Sequence, residues 1–372
     1  MRMFGSAVGS AFAPVMLQAA RNFSMSTAAS AAAKVGFIGL GHLGARMVPR
    51  LLDAGHDVVL HDNNKLAVMR ALEIGEQHPN ASVFVADSPA KLASTEGVDV
   101  LFTSVPSVDA VKDVYLSNSG VLAAHGGVVP SLLVNMSTVD PATARQLAAA
   151  AATTPRSKQS PPLAGLPVGY PTFLDAPVSG GIVAADSGTL NFMVGCSSDS
   201  ALQAAEPFLR VLGSSITRVG NVGAGSAAKL CNTLVAASSM AAVSEALALG
   251  RRLGLEPATL TRVLNSGSGR CWASEAYNPV PGVQPGAPSS NSYRAGLGVD
   301  MVLSQLMLLI QAAEGAESPV PVARSTQQLY NGISEEGLGD KDFSCIYRYQ
   351  YGQGCNNMEW QEGQQLFSAQ IP

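Results

Sequence analysis

Lys229 and a glycine-rich turn far upstream are the residues of this 372-residue chain best suited to chemistry. Lys229 follows Gly223-Ala224-Gly225-Ser226-Ala227-Ala228 and opens a long stretch crowded with small residues. An amine among alanines is poorly solvated, which disfavours its charged form. A lysine drawn down to about 7–8 exchanges protons readily near neutral pH. Asn232 and Thr233 lie three and four residues on and share its helical face. Both can hydrogen-bond a carboxylate or a carbonyl. Taken alone, the same lysine is equally a helix-end side chain that snorkels to solvent.

The second group is Gly39-Leu40-Gly41-His42-Leu43-Gly44, which fits G-x-G-x-x-G. The apolar run Val35–Ile38 before it predicts a buried parallel strand, and Ala45–Ala54 after it predicts a helix that stops at Gly55. In that context each glycine has a task. Gly39 allows the tight turn, Gly41 lets backbone approach a pyrophosphate, and Gly44 lets helix and strand pack closely. The helix N-terminus then offers unpaired N–H groups to phosphates. Val58–Leu60 predicts the next strand, with Asp62 at its end. Asp62 follows Gly44 by 18 residues, close to the ~20 expected for the acid that binds a ribose hydroxyl. A carboxylate there repels a 2′-phosphate, and Asn63 and Asn64 follow rather than arginine. Both points favour NAD over NADP, although Lys65 keeps NADP open. Asp62 also suits a helix N-cap.

These groups need a scaffold. Val98–Ser104, Leu132–Met136, Phe173–Ala176, Leu190–Val194 and Ile216–Val219 predict further strands, and Asp140 with Pro141 predicts a helix start. Strands alternating with helices imply an α/β domain over residues 34–219. From Ser226 to Leu253 there is neither proline nor strand pattern, which predicts one long buried helix. Helices are expected over 257–264, 300–313 and 322–329, giving an all-α domain over 222–348 joined through the long helix. Residues 349–372 read as a flexible tail. The Pro/Ser/Gly-rich segment 151–169 reads as a surface insertion without chemistry.

Composition narrows the function classes. A hydrophobic content of 47% and a charged content of 13% fit about two globular domains with large cores. A net charge of −4 gives no reason to expect nucleic acid or an anionic membrane as partner. Five cysteines at wide spacing form neither a disulfide framework nor a C-x-x-C pair, which fits a reducing compartment. Five histidines show no metal-ligand spacing and read as surface or turn residues, so no metal is expected. No apolar run reaches the ~18 residues of a membrane span. Residues 1–30 contain arginine and serine but no acid, which predicts a mitochondrial transit peptide with a processing site near Arg21-Asn22-Phe23-Ser24. A disordered tail is the plainer alternative.

Four blocks, FIGLGHLGARM at 37–47, DAPVSGG at 175–181, GAGSAAKLCN at 223–232 and GRCWASEAYNPVPGV at 269–283, resemble the β-hydroxyacid dehydrogenase family. The last block is similar to the branch that oxidises 3-hydroxyisobutyrate. The resemblance implies a Rossmann-type dinucleotide-binding domain, an all-α domain that builds a homodimer or homotetramer, and NAD as cofactor. It implies oxidation of a small 3-hydroxy acid, 3-hydroxyisobutyrate, to methylmalonate semialdehyde in valine breakdown in the mitochondrial matrix. Carried over by residue, residues 39–44 match the pyrophosphate loop and Asp62 the ribose contact. Val105-Pro106 and Ser137-Thr138 match loops beside the cofactor. Ser179, Gly180 and Gly181 match the substrate-carboxylate site, with Asn232 and Thr233 beside it, and Lys229 matches the catalytic lysine.

Two departures stand out. The family has Asn-Asn after the lysine, and Thr233 replaces the second. The family also has a Lys-Asp pair in the helix after the glycine-rich turn, where this chain has Ser304 and Gln305. The lost lysine reaches the nicotinamide and substrate region, so Ser304 matches a cofactor-side position. A sibling semialdehyde or glyoxylate reductase, or a weakly active dinucleotide-binding paralogue, are the alternatives.

Overall fold

The computed structural model describes residues 32–351 apart from Gln159 and Ala295. The expected transit peptide, its processing site, the tail beyond Tyr351 and Cys355 lie outside them.

Runs rich in Val, Leu and Phe alternate with helical segments from Lys34 to Gly220. In order they are β1 (Lys34–Ile38), α1 (Gly44–Asp53), β2 (Asp57–His61), α2 (Lys65–Gly75), β3 (Val83–Val85), α3 (Pro89–Ala93), β4 (Val98–Thr103), α4 (Val108–Leu116), β5 (Leu132–Asn135) and α5 (Pro141–Ala151). Then come β6 (Thr172–Asp175), β7 (Val178–Ser179), α6 (Gly181–Ser187), β8 (Leu190–Gly195), α7 (Asp199–Leu212) and β9 (Gly213–Gly220). The strands form one sheet ordered β3-β2-β1-β4-β5-β6-β8-β7, with β9 on β8. The first six strands pair in parallel in the order 3-2-1-4-5-6 of a Rossmann fold. Both faces of the central strands are covered, which is why β1, β4, β5 and β6 are buried almost throughout, whereas β3 and β9 at the margins are largely exposed. Val100, Phe102, Leu132 and Val134 join the core on one face, and Leu101 and Leu133 the core on the other. That is the two-residue period of a strand. Polar caps start α2, α3, α4, α5 and α7, among them Asp140, which accepts from the Thr143 N–H at 2.8 Å with Pro141 in the first turn, as expected.

From Ala224 the chain is helical. α8 (Ala224–Arg252) is followed by α9 (Pro257–Ser266), α10 (Trp272–Glu275), α11 (Val299–Gly315), α12 (Pro321–Ile333) and α13 (Ile346–Tyr351). Their shared core gathers Met240, Leu247, Val302, Leu306, Tyr330 and Phe343. Asp342, 1% exposed, knits the approach to α11. It accepts from Tyr277 Oη at 2.8 Å and from the Leu297 N–H at 2.8 Å. The 269–283 run thereby fixes where α11 begins.

Several expectations need correction. α8 is long and apolar enough, by length and composition, to cross a membrane, contrary to the reading of the sequence. Half of that apolar stretch is buried in the protein, where its small residues let neighbours pack closely. The histidines are not all on the surface. His56 is fully buried, packs tilted against the Phe208 ring and is pushed down in pKa by burial. His61 closes the buried strand β2, and its Nδ1 pairs with the Ala86 carbonyl at 2.9 Å. The 151–169 segment is not merely a surface loop. Arg156, 6% exposed, donates to the Val129 carbonyl at 2.8 Å, and Leu166 joins the core. β3 has no counterpart among the expected strands, because its three residues are too few and too exposed to show a pattern.

Candidate active site

Parallel strands send their carboxyl ends to one edge of the sheet, and the predicted cofactor loops meet there. The turn from β1 into α1 holds Gly39 at φ +99°, and its N–H donates to the His61 carbonyl at 3.0 Å. A Cβ on Gly39 would lie 2.1 Å from the Ser104 carbonyl oxygen, and one on Gly44 would lie 1.9 Å from the Gly39 carbonyl oxygen. At Gly41 a Cβ would meet nothing within 4 Å. Two glycines thus serve the turn and its packing, while the third leaves open space beside the loop, which suits a pyrophosphate. Leu40 is buried, Leu43 is half-buried and packs on the core, and His42 is exposed. The His42 carbonyl accepts from Arg46 Nη1 at 2.9 Å, which ties the loop to α1.

Asp62 stands against this loop. One carboxylate oxygen accepts from the Leu40 N–H at 2.6 Å and the other from the Asn64 N–H at 2.6 Å. The N-cap of α2 is Asn64, which accepts from the Leu66 N–H at 3.0 Å. Asp62 therefore links the end of β2 to the glycine loop. The loops after β4 and β5 are joined in the same way, since the Val105 N–H donates to Ser137 Oγ at 2.8 Å. Pro106 is exposed and Thr138 half-buried beside them.

The adjoining strand anchors the helix that carries the lysine. Asp175, fully buried at the end of β6, accepts from the Gly223 N–H at 2.8 Å, the Ser226 N–H at 2.7 Å and Ser226 Oγ at 2.9 Å. Burial pushes this carboxyl up in pKa, opposed by those hydrogen bonds. Gly225 lets α8 approach the sheet, because a Cβ there would sit 2.4 Å from the Met193 carbonyl oxygen. One turn on is Lys229, 9% exposed and lowered in pKa to about 8 by desolvation. No described residue pairs with its ammonium. Such an amine gains and loses a proton near neutral pH.

The remaining predicted residues differ in their exposure and partners. Thr233 is buried and donates to Gln305 Oε1 on α11 at 3.0 Å. Asn232 is half-buried. Ser304 is exposed and returns its hydroxyl to the Asp300 carbonyl at 2.8 Å. Ser179 ends β7, opposite Asn191, and Gly180 and Gly181 form the exposed turn into α6. Asp175 and Ser226 were missed as working residues, although both lie inside runs that the sequence singles out.

Residues 34–220 match the family described as the NAD binding domain of 6-phosphogluconate dehydrogenase. Residues 223–350 match the one described as NAD-binding of NADP-dependent 3-hydroxyisobutyrate dehydrogenase. The chain is 42% identical over 317 residues to a probable mitochondrial 3-hydroxyisobutyrate dehydrogenase of Arabidopsis thaliana, covering 85% of this chain and 87% of the relative. It is 37% identical over 354 residues to the mitochondrial 3-hydroxyisobutyrate dehydrogenase of Homo sapiens, covering 94% and 97%. The solved 3-hydroxyisobutyrate dehydrogenase of Mycobacterium tuberculosis with L-serine aligns at a TM-score of 0.72 and 30% identity, covering 86% of this chain and 99% of that one. With the Rossmann sheet, the glycine loop and the helical second half, these likenesses place the chain in the 3-hydroxyisobutyrate dehydrogenase family, oxidoreductases that use a nicotinamide dinucleotide.

Proposed function

We propose that the chain oxidises 3-hydroxyisobutyrate to methylmalonate semialdehyde with NAD, and that Lys229 is its general acid–base group. The observation that carries this reading is the lysine itself, buried without a counter-charge among the described residues and drawn down to about 8. Neutral Lys229 takes the proton from the substrate hydroxyl. The bound dinucleotide supplies a hydride acceptor for the carbinol carbon. In the reverse direction the Lys229 ammonium returns the proton to the developing alkoxide. Ser179, Gly180 and Gly181 receive the substrate carboxylate, with Asn232 and Thr233 on the lysine's side. Residues 39–44 hold the pyrophosphate, Asp62 the adenine ribose, and Val105, Pro106, Ser137, Thr138 and Ser304 line the cofactor side. The Asp62 carboxylate supports NAD over NADP, since it repels a 2′-phosphate.

On this reading residues 34–219 hold the cofactor and residues 222–348 build a homodimer or homotetramer. The names of the plant and human relatives support a mitochondrial location, and the substrate belongs to valine breakdown in the matrix. One observation favours a second reading, a weakly active dinucleotide-binding paralogue: Ser304 is exposed and bonded to its own helix. Kinetics separate the two. Protein lacking the first ~30 residues is offered NAD or NADP with 3-hydroxyisobutyrate, 3-hydroxypropionate, serine and glycerate. NAD-linked turnover best on 3-hydroxyisobutyrate is expected, with a loss of about 10²–10⁴-fold in Lys229→Ala and unchanged NAD binding. NAD binding without turnover on any acid would instead select the paralogue.

A further inference from the structure

Gln305 is the polar side chain that α11 buries against α8, and the proposed reaction does not use it. It is 8% exposed, and its partner Thr233 is 5% exposed. A helical threonine commonly returns its hydroxyl to a carbonyl one turn back. Thr233 instead donates across the helix interface to Gln305 Oε1 at 3.0 Å. That bond occupies the carboxamide's acceptor and sets which way the amide faces. The amide nitrogen keeps two N–H donors, and among the described residues none accepts from it. The nitrogen is not among the fully enclosed polar atoms that lack a partner, so the buried side chain turns this open donor pair toward accessible space, where a ligand or water can meet it. Lys229 lies four residues before Thr233 on the same face of α8, about 6 Å along the helix. Ser304, the next residue on α11, is exposed and has bonded its hydroxyl to its own backbone.

We propose that Gln305 is a substrate-binding residue whose amide nitrogen, oriented by Thr233, donates to the carboxylate of the hydroxy acid beside Lys229. This rests on the reading of Lys229 as the acid–base group. A neutral donor holds a carboxylate without placing a second positive charge against the lysine. Thr233 is then a positioning residue: it acts on the substrate through the amide that it holds.

The test compares 3-hydroxyisobutyrate with its methyl ester, which presents the same carbinol without the charge. In Gln305→Leu the KM for the acid should rise about tenfold or more, as for the loss of a hydrogen bond to a charged group. The KM for the ester and the binding of NAD should change less than about twofold, since neither meets the amide. Gln305→Glu keeps the shape and the acceptor for Thr233 but turns a negative charge on the acid, so its KM should rise further. This variant carries the test alone if the leucine variant does not fold. Thr233→Val should raise the same KM by less, and the double variant should be no worse than Gln305→Leu. Equal changes for acid and ester, or none, in a protein that Lys229→Ala inactivates, would overturn the role of Gln305 and leave the reading of Lys229 standing. Undiminished turnover in Lys229→Ala would overturn both.

Discussion

Ser226 donates to Asp175 twice, through its backbone N–H at 2.7 Å and its hydroxyl at 2.9 Å. With the Gly223 N–H at 2.8 Å, these bonds fasten the first turn of α8 to the end of β6. Lys229 lies three residues beyond Ser226, so its place relative to the sheet depends on this contact. The carboxylate serves donors only. An asparagine would turn its NH2 group toward one of them and leave that N–H unpaired in the interior. Asp175→Asn should therefore lower unfolding stability by about 2–3 kcal/mol, the cost of losing hydrogen bonds to a buried charge. It should also lower kcat more than NAD affinity, because the glycine loop is built on other strands. Urea unfolding with steady-state kinetics checks both. An unchanged midpoint with unchanged kcat would show that α8 is held by its other contacts.

How far the sequence reveals this arrangement depends on the range of each interaction. The glycine loop and the strands on both sides of it are local matters of period and composition and are legible, whereas the alanines around Lys229 leave burial and snorkelling equally open until the helix is seen packed. The role of Asp175 was not, because a carboxylate closing an apolar strand looks like any strand end, and its partners lie 48 and 51 residues away. The Thr233–Gln305 bond spans 72 residues, so each side chain alone reads as a departure from the family pattern. His56 and Arg156 misled for a related reason: polar residues in turn-like surroundings are expected outside. Each is buried because backbone groups remote in sequence meet its side chain.

Lys229 is a stability liability as well as a proposed acid–base group. Its pKa is about 8 in the folded chain against the ordinary 10.5. Between those values the unfolded chain binds more protons than the folded one, so stability rises with pH across that window. Below about pH 8 the whole penalty is present, on the order of 3 kcal/mol. Lys229→Met keeps the length and removes the charge. It should raise the melting temperature by several degrees at pH 7 while lowering turnover about 10²–10⁴-fold, and the gain should fade by pH 10. In the wild type, oxidation should accelerate as pH rises through about 8, and reduction should slow. Thermal melts at the two pH values, set beside pH–rate profiles, provide the check. A methionine variant no more stable than wild type at pH 7 would remove the physical ground for a lowered lysine.

Cofactor choice turns on Asp62. Its carboxylate repels the 2′-phosphate of NADP, yet both of its oxygens already accept from backbone, one from the Leu40 N–H of the glycine loop at 2.6 Å and the other from the Asn64 N–H at the start of α2 at 2.6 Å. A ribose hydroxyl must share that carboxylate or displace one of the N–H groups. Asp62→Ser removes the repulsion and the anionic acceptor together. KM for NAD should rise about tenfold, the loss of one hydrogen bond to a charged group. KM for NADP should fall, with the exposed Lys65 close in sequence to meet the phosphate. The ratio of kcat/KM for the two cofactors is the quantity to measure, because general slackening of the loop would weaken both and leave the ratio in place. A ratio unchanged by the substitution would mean that Asp62 stays engaged with Leu40 and Asn64 and that selectivity lies elsewhere along the loop.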